Sequence, residues 1–226
     1  MMKKTFLFFS LALIASGAYA QELVTYDYTY GAFTGIEAAD CFSVKLVHST
    51  EHAVSITAYS SVRDYVHAYV KDGILRLEVD EKGMPSDLKK EFKKKDSGLS
   101  TLNVTVSMSS LRSLTIKGNS VLSSSDTLKT DRFALKLSKT AEVKSLNVEA
   151  SSSALLELSG NASLNAGIKS QSINIESSGK SKAEIKADAF RTIASAAGFA
   201  KIEIFGKSQN LHLSASGNGS AEFNTK

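Results

Sequence analysis

From Leu102 to Phe223 apolar and polar residues alternate with few breaks, and one short phrase keeps returning. It reads Leu146-Asn-Val-Glu-Ala-Ser-Ser-Ser-Ala-Leu-Leu-Glu-Leu158, then Ile173-Asn-Ile-Glu-Ser-Ser-Gly-Lys-Ser-Lys-Ala-Glu-Ile185. It recurs as Thr192-Ile-Ala-Ser-Ala-Ala-Gly-Phe-Ala-Lys-Ile-Glu-Ile204 and Leu211-His-Leu-Ser-Ala-Ser-Gly-Asn-Gly-Ser-Ala-Glu-Phe223. Each copy is an apolar alternation, a run of small residues, and a second alternation centred on Glu. Leu114-Thr-Ile116 and Leu135-Lys-Leu137 open shorter copies. The starts at Ile173, Thr192 and Leu211 stand 19 residues apart; Leu146 precedes Ile173 by 27 and follows Leu135 by 11, so the repeat slips once and recovers. Alternation with period two means strands whose side chains face opposite ways. A period near twenty, built from such strands and small turns, predicts coils stacked as a β-solenoid. Ile173, Ile175, Ala183 and Ile185 are expected inside, Asn174 and Glu184 outside, and Gly179, Gly198, Gly217 and Gly219 at corners.

Before Leu102 the same alternation comes in shorter pieces. Leu23 to Tyr30 predicts a strand with Tyr26, Tyr28 and Tyr30 on one side; Phe42-Ser-Val-Lys-Leu46, Val54 to Ala58 and Val66 to Val70 predict three more. Asp72-Gly73, between Val70 and a returning strand with Leu75, Leu77 and Val79, predicts a tight hairpin. Met84 to Ser97 breaks the pattern: Pro85 is placed for the first turn of a short helix carrying Leu88 and Phe92. The fold class expected is all-β, a β-helix-like solenoid over residues 111–226. A β region over 21–110, with its lysine-rich insert at 84–97, caps or extends it and is continuous with it.

Residues 1–20 carry a different pattern. Met1-Met2-Lys3-Lys4, the apolar run Phe6 to Ala15 and Ala18-Tyr19-Ala20 form a secretory signal peptide, too short and wrongly flanked for a spanning helix. The residue directly after the cleavage site is Gln21 rather than Cys, which speaks against a lipoprotein, and no later stretch is apolar enough to cross a bilayer. The expected product is exported, to the periplasm, the outer surface or the medium. Removing Lys3 and Lys4 lowers the formal charge from +4 to +2, close to neutral, so the basic bias that would suggest nucleic acid belongs mostly to the leader. Hydrophobic content of 42% excludes global disorder. Cys41 is the only cysteine, so no internal disulfide holds the chain, and it reads as a small strand or turn residue.

Phe33-Thr-Gly35-Ile36, Cys41-Phe-Ser-Val-Lys-Leu46 and Val70-Lys-Asp-Gly-Ile-Leu75 resemble phrases of the bacterial head GIN domain family, described as putative autotransporter adhesins. So do the repeats, whose family form is Ser-Gly-Ala-Ser; here Ser178-Gly179-Lys-Ser181 and Ser216-Gly217-Asn-Gly219 match it, and Ser151-Ser152-Ser153-Ala154 lacks the Gly. The resemblance spans about Phe33 to Phe223. It implies an all-β, β-helix-like architecture and an exported or cell-envelope location. It brings no catalytic, cofactor-binding or metal-binding residues, and this chain shows no translocating barrel of its own.

Candidate chemistry is sparse. His48 and His52 have a spacing that gathers ligands only on a helix, and they fall in a strand-turn-strand; His67 and His212 stand apart. No Gly-x-Ser-x-Gly elbow is present, and Gly217-Asn-Gly219-Ser220 reads as a corner rather than a phosphate cradle. Lys89, Lys90, Lys93, Lys94 and Lys95 are either an anion-binding patch or, the favoured reading, a solvated insert. Glu149, Glu157, Glu176, Glu184, Glu203 and Glu222 recur with the repeat; stacking offers Ca²⁺ ligands, but interspersed Lys180, Lys182, Lys186 and Lys201 favour charge pairing between coils. No catalytic residue, cofactor or metal is therefore expected. The function expected is a non-enzymatic adhesin or envelope module that binds a glycan or protein surface, without nucleic acid. The alternatives are a carbohydrate-active β-helix enzyme, which needs paired carboxylates, and a structural protein that self-associates through a solenoid end.

Overall fold

The computed structural model describes residues 22–224; the leader assigned to residues 1–20 lies outside them. The chain forms β1 (Leu23–Thr29), β2 (Gly35–Ala38), β3 (Phe42–His48), β4 (Ala53–Tyr59), β5 (Val66–Lys71) and β6 (Ile74–Val79). The helix α1 (Ser86–Phe92) follows, with Pro85 at its N-cap, one residue before the first turn. Then come β7 (Leu102–Met108), β8 (Ser113–Ile116), β9 (Val121–Leu137), β10 (Glu142–Leu158), β11 (Ser163–Ser177), β12 (Lys182–Gly198), β13 (Lys201–Gly217) and β14 (Ser220–Asn224). They join one fourteen-stranded sheet that winds into a β-solenoid of about six turns.

Two inward columns run through the stack. On one wall Ile56, Val104, Val44, Leu122, Val143, Leu164, Ala183 and Ile202 lie in register from strand to strand. On the other wall the column is Leu75, Ile36, Leu114, Leu135, Leu156, Ile175 and Ala194. All fifteen are at most 2% exposed, so the hydrophobic effect acts along the whole axis rather than at one centre. Each long strand turns a corner and serves both walls. In β12, Ala183, Ile185 and Ala187 are buried, the alternation changes phase at Phe190-Arg191, and Thr192, Ala194 and Ala196 are buried next. In β12 four of these six buried residues are alanine, whereas Leu, Ile and Val fill most of the two columns elsewhere.

Ile173, Thr192 and Leu211 stack as expected, as do Ile175, Ala194 and Leu213. The apparent slip around Leu146 is a matter of phase. Ile173 stacks on Ala154, not on Leu146, and Ala154 stacks on Phe133, so at this wall the step between coils is 19 residues above β10 and 21 below it. The extra residues of β10 sit in bulges between Val143 and Asn147 and between Ala150 and Ser153. Outward bulging absorbs a residue while keeping the inner face in register.

Parallel stacking starts well before Leu111. β2 and β3 pair in parallel with β6 and β7 on one side and with β8 and β9 on the other, so the coil 35–48 lies between 74–108 and 113–124. Three residues, Ala39 to Cys41, make the corner between β2 and β3; at the equivalent corner between β6 and β7 the chain inserts residues 80–101. That insert carries α1 and sends Met84, Phe92 and Leu99 into the core, while Val62 comes from the short helical turn Ser60–Tyr65. Beyond it the antiparallel strands β5, β4 and β1 finish this end. The Asp72-Gly73 hairpin forms with positive φ at both residues. At the other end β14 pairs only with Lys201 to Phe205, and Leu211 is 42% exposed.

One corner repeats in seven coils, from that of β2 and β3 to that of β13 and β14. Asp40, Gly118, Lys139, Gly160, Gly179, Gly198 and Gly217 all have positive φ. From Gly118 onward the residue after each turn donates its backbone N–H to the turn carbonyl of the coil before it, as in Lys180 to Gly160 at 2.7 Å and Phe199 to Gly179 at 2.7 Å. The corners thus continue the sheet's hydrogen bonding from coil to coil.

Candidate functional site

Register decides what the outer surface presents, because equivalent outward side chains on neighbouring strands stand about 4.8 Å apart. One outward column alternates in sign through five coils: Lys129, Glu149, Lys169, Asp188 and Lys207. Lys129 and Glu149 form an ion pair at 3.7 Å. Among the described residues Lys169, Asp188 and Lys207 make no ion pair within 4.0 Å. Opposite charges placed side by side favour this register, whereas like charges would oppose it.

Next to this column the corner that reverses the alternation forms a shallow groove of about 510 Å³. Its floor is a line of small residues, Thr130, Ala150, Ser170 and Ala189; one wall is the charged column and the other carries Ser151, Gln171, Phe190 and Gln209. Phe190 is 59% exposed, and the Ser170 hydroxyl has no hydrogen-bond partner. The groove crosses β9 to β13, four steps between coils, and so is about 19 Å long.

The glutamates suggested by the repeat divide among three columns. Glu149 belongs to the alternating one; Glu157 stacks on Glu176; and Glu184, Glu203 and Glu222 stack on one another. Pairing between coils occurs at Lys136–Glu157, 3.1 Å, while Lys182–Glu184 and Lys201–Glu203 pair along their own strands. Glu184 and Glu203 stand side by side on adjacent coils, the kind of carboxylate pairing that a glycosidase requires. Yet the Lys201 ammonium hydrogen-bonded to Glu203 moves that carboxyl below its usual range, the opposite of what a general acid needs. Among the described residues no three His, Cys, Asp or Glu side chains converge as metal ligands.

The other singled-out residues are scattered. His48 donates its backbone N–H to Asp126 at 2.8 Å, and the His52 ring meets Phe33 edge-on, with centroids 5.0 Å apart. His212 is exposed on β13, and His67 lies at an open concavity near Asp40, Glu78 and Glu81. In the insert Lys89 and Lys93 reach Glu81 at 3.9 and 2.9 Å, Lys90 reaches Asp87 at 3.9 Å, and Lys94 reaches Glu91 at 2.6 Å. Local carboxylates therefore take up those four ammonium groups. Cys41 is a half-buried free thiol in the corner before β3, and burial, then the nearby Asp40 and Glu81 carboxylates, push it up to about 12. The alternating column escaped sequence reading because its members are spaced 20, 20, 19 and 19 residues apart, a change of step that only the β10 bulges explain.

The solenoid has solved counterparts, which at these identities establish the fold alone. A putative adhesin from Bacteroides fragilis aligns over 91% of this chain and 98% of its own, with 20% identity and a TM-score of 0.58. A putative adhesin from Parabacteroides distasonis aligns over 92% and 95%, with 13% identity and a TM-score of 0.58. A protein from the same species described as a putative lipid binding protein aligns over 92% and 98%, with 14% identity and a TM-score of 0.50. Among curated proteins none matches the sequence. Residues 32–167, from the strand that begins the parallel stack to the middle of β11, match the model of a family described as putative auto-transporter adhesin, head GIN domain. This match covers more than half of the sequence and takes in the coil that carries the insert and the first of the long repeat strands, so the chain belongs to the head GIN domain family.

Proposed function

We propose that this protein is an exported, non-enzymatic surface-binding module, an adhesin in the sense of its family's description. The observation that carries the reading is the outer surface of β9 to β13, where side chains recur in register along a groove about 19 Å long. Such a surface suits an extended ligand, because each coil offers the next contact at a fixed step. The leader over residues 1–20 supports export. Folded protein is expected to bind members of a glycan array or an immobilised set of extracellular-matrix proteins. A blank result on both, with the solenoid intact by circular dichroism, counts against adhesion.

A second reading is self-association through the C-terminal end, favoured by the exposure of Leu211 and by the partial coverage of β13. Light scattering at high protein concentration decides it: a monomer speaks against this reading.

A further inference from the structure

We propose that the groove along β9 to β13 is an oligosaccharide site for an uncharged glycan, with Phe190 as the platform on which one sugar ring stacks. This deepens the surface-binding reading and rests on it. Three properties of the groove point to this class of ligand.

The first is the position of Phe190. It is 59% exposed in a corner whose equivalents on neighbouring coils, Gln171 and Gln209, are amides. A pyranose ring has a face of C–H bonds and a rim of hydroxyls, so an aromatic ring flanked by amides matches both parts.

The second is charge. The groove lining contains Lys129 and Lys169 against Glu149 and Asp188, equal numbers in alternation. A polyanion would gain at each lysine and lose at each carboxylate, which removes the long-range attraction that nucleic acids or sulfated glycans use. Sugar hydroxyls both donate and accept, so they suit an alternating line of donors and acceptors. Lys169 and Asp188 have no ion-pair partner within 4.0 Å among the described residues, so these groups keep hydrogen-bonding capacity for a ligand.

The third is shape. Thr130, Ala150, Ser170 and Ala189 give a floor without bulky side chains, and the groove runs along the stack for about 19 Å. That admits several linked sugars. A peptide of comparable length would seek apolar pockets for its anchors, and Phe190 is the one large apolar side chain in this lining.

The test is calorimetric titration with cellohexaose, xylohexaose, mannohexaose, maltohexaose and chitohexaose, with a heparin hexasaccharide and gelatin as contrasts. At least one uncharged hexasaccharide is expected to bind, with an affinity that barely changes as salt rises. F190A is expected to weaken it about tenfold, and D188N several-fold. F199A, at the 63% exposed Phe199 of the opposite corner, serves as control and is expected to leave it unchanged. All three positions are exposed, so thermal unfolding of each variant should match the parent. Binding of heparin or gelatin alone, or binding of an uncharged glycan that F190A and D188N leave intact, overturns the groove assignment while surface binding stands. No binding to any of the probes overturns the groove assignment; it reaches the broader reading only if the full glycan and matrix arrays are also blank.

Discussion

An atom in the Cβ position of Gly179 would lie 2.8 Å from the carbonyl oxygen of Gly160 on the preceding coil. Gly179 also has φ of +77°, so a side chain there meets both a left-handed backbone and a neighbouring main chain. Gly179→Ala is expected to destabilise the protein by about 2–3 kcal/mol, read as a lower urea midpoint. Gly198 shares the backbone, with φ of +74°, but its nearest neighbour would be 3.3 Å away. Gly198→Ala should therefore cost about 1–2 kcal/mol, the left-handed cost with little contact added. Equal losses at the two sites would show that the approach between coils does not matter.

Lys139 stands in the same corner column with φ of 64°, without the freedom of glycine. Its side chain is exposed and makes no ion pair among the described residues. Lys139→Gly removes a left-handed cost of about 1–2 kcal/mol and adds about 0.5–1 kcal/mol of unfolded-state entropy. The expected result is a small rise in the thermal midpoint. Asp40 has φ of 75°, but its carboxylate accepts the Val79 N–H at 3.3 Å. Asp40→Gly relieves the backbone and loses that bond, so it should gain less than Lys139→Gly or lose stability. A larger gain at Asp40 would contradict this account.

The periodicity of the chain contained more of the fold than of the candidate site. Alternation placed Ile173, Ile175, Ala183 and Ile185 inside correctly, because burial on one face of a strand imposes that pattern directly. Asp72-Gly73 announced its hairpin because few residues tolerate that geometry. That residues 21–110 cap or extend the solenoid is legible, but alternation alone does not single out β2 and β3 as a coil of it, since their neighbour β8 comes only after the antiparallel strands and the insert. The groove depends on which residue of one coil meets which residue of the next. The β10 bulges shift that match, so Glu149 and Asp188 share a column with no constant spacing to reveal it.

Glu37, on β2, holds the N-terminal coils together. It accepts a hydrogen bond from Lys117 at 2.7 Å and another from Arg76 of β6, and the Lys117 bond, outweighing burial, lowers its carboxyl below the usual range. A carboxyl depressed on folding stabilises the protein above its unfolded-state value, near pH 4.5, and loses that contribution as pH falls through the folded value. Glu37→Gln should cost about 1–2 kcal/mol at pH 7, between an exposed pair and a buried charged hydrogen bond. The difference from the parent should shrink as pH is lowered below 4, since the parent then loses the same charge. A difference independent of pH between 7 and 3 would rule out ionisation of Glu37 as its source.

Cys41 gives the opposite sign. Burial, reinforced by the Asp40 and Glu81 carboxylates, raises its thiol from 9.0 to about 12. The thiolate is the reactive species, so far less of it is present at pH 8 in the folded protein than in the unfolded chain. Ellman's reagent is expected to label native protein very slowly and urea-unfolded protein within the mixing time, and native protein should not dimerise through Cys41 in air at that pH. Because the folded value is raised, the stability gained from the protonated thiol is complete below about pH 9 and is lost as pH rises from there through about 12. Cys41→Ala should therefore flatten the fall of the thermal midpoint over that alkaline range. Fast labelling of native protein at pH 8, at a rate similar to that of the unfolded chain, would show that the corner leaves the thiol open to solvent.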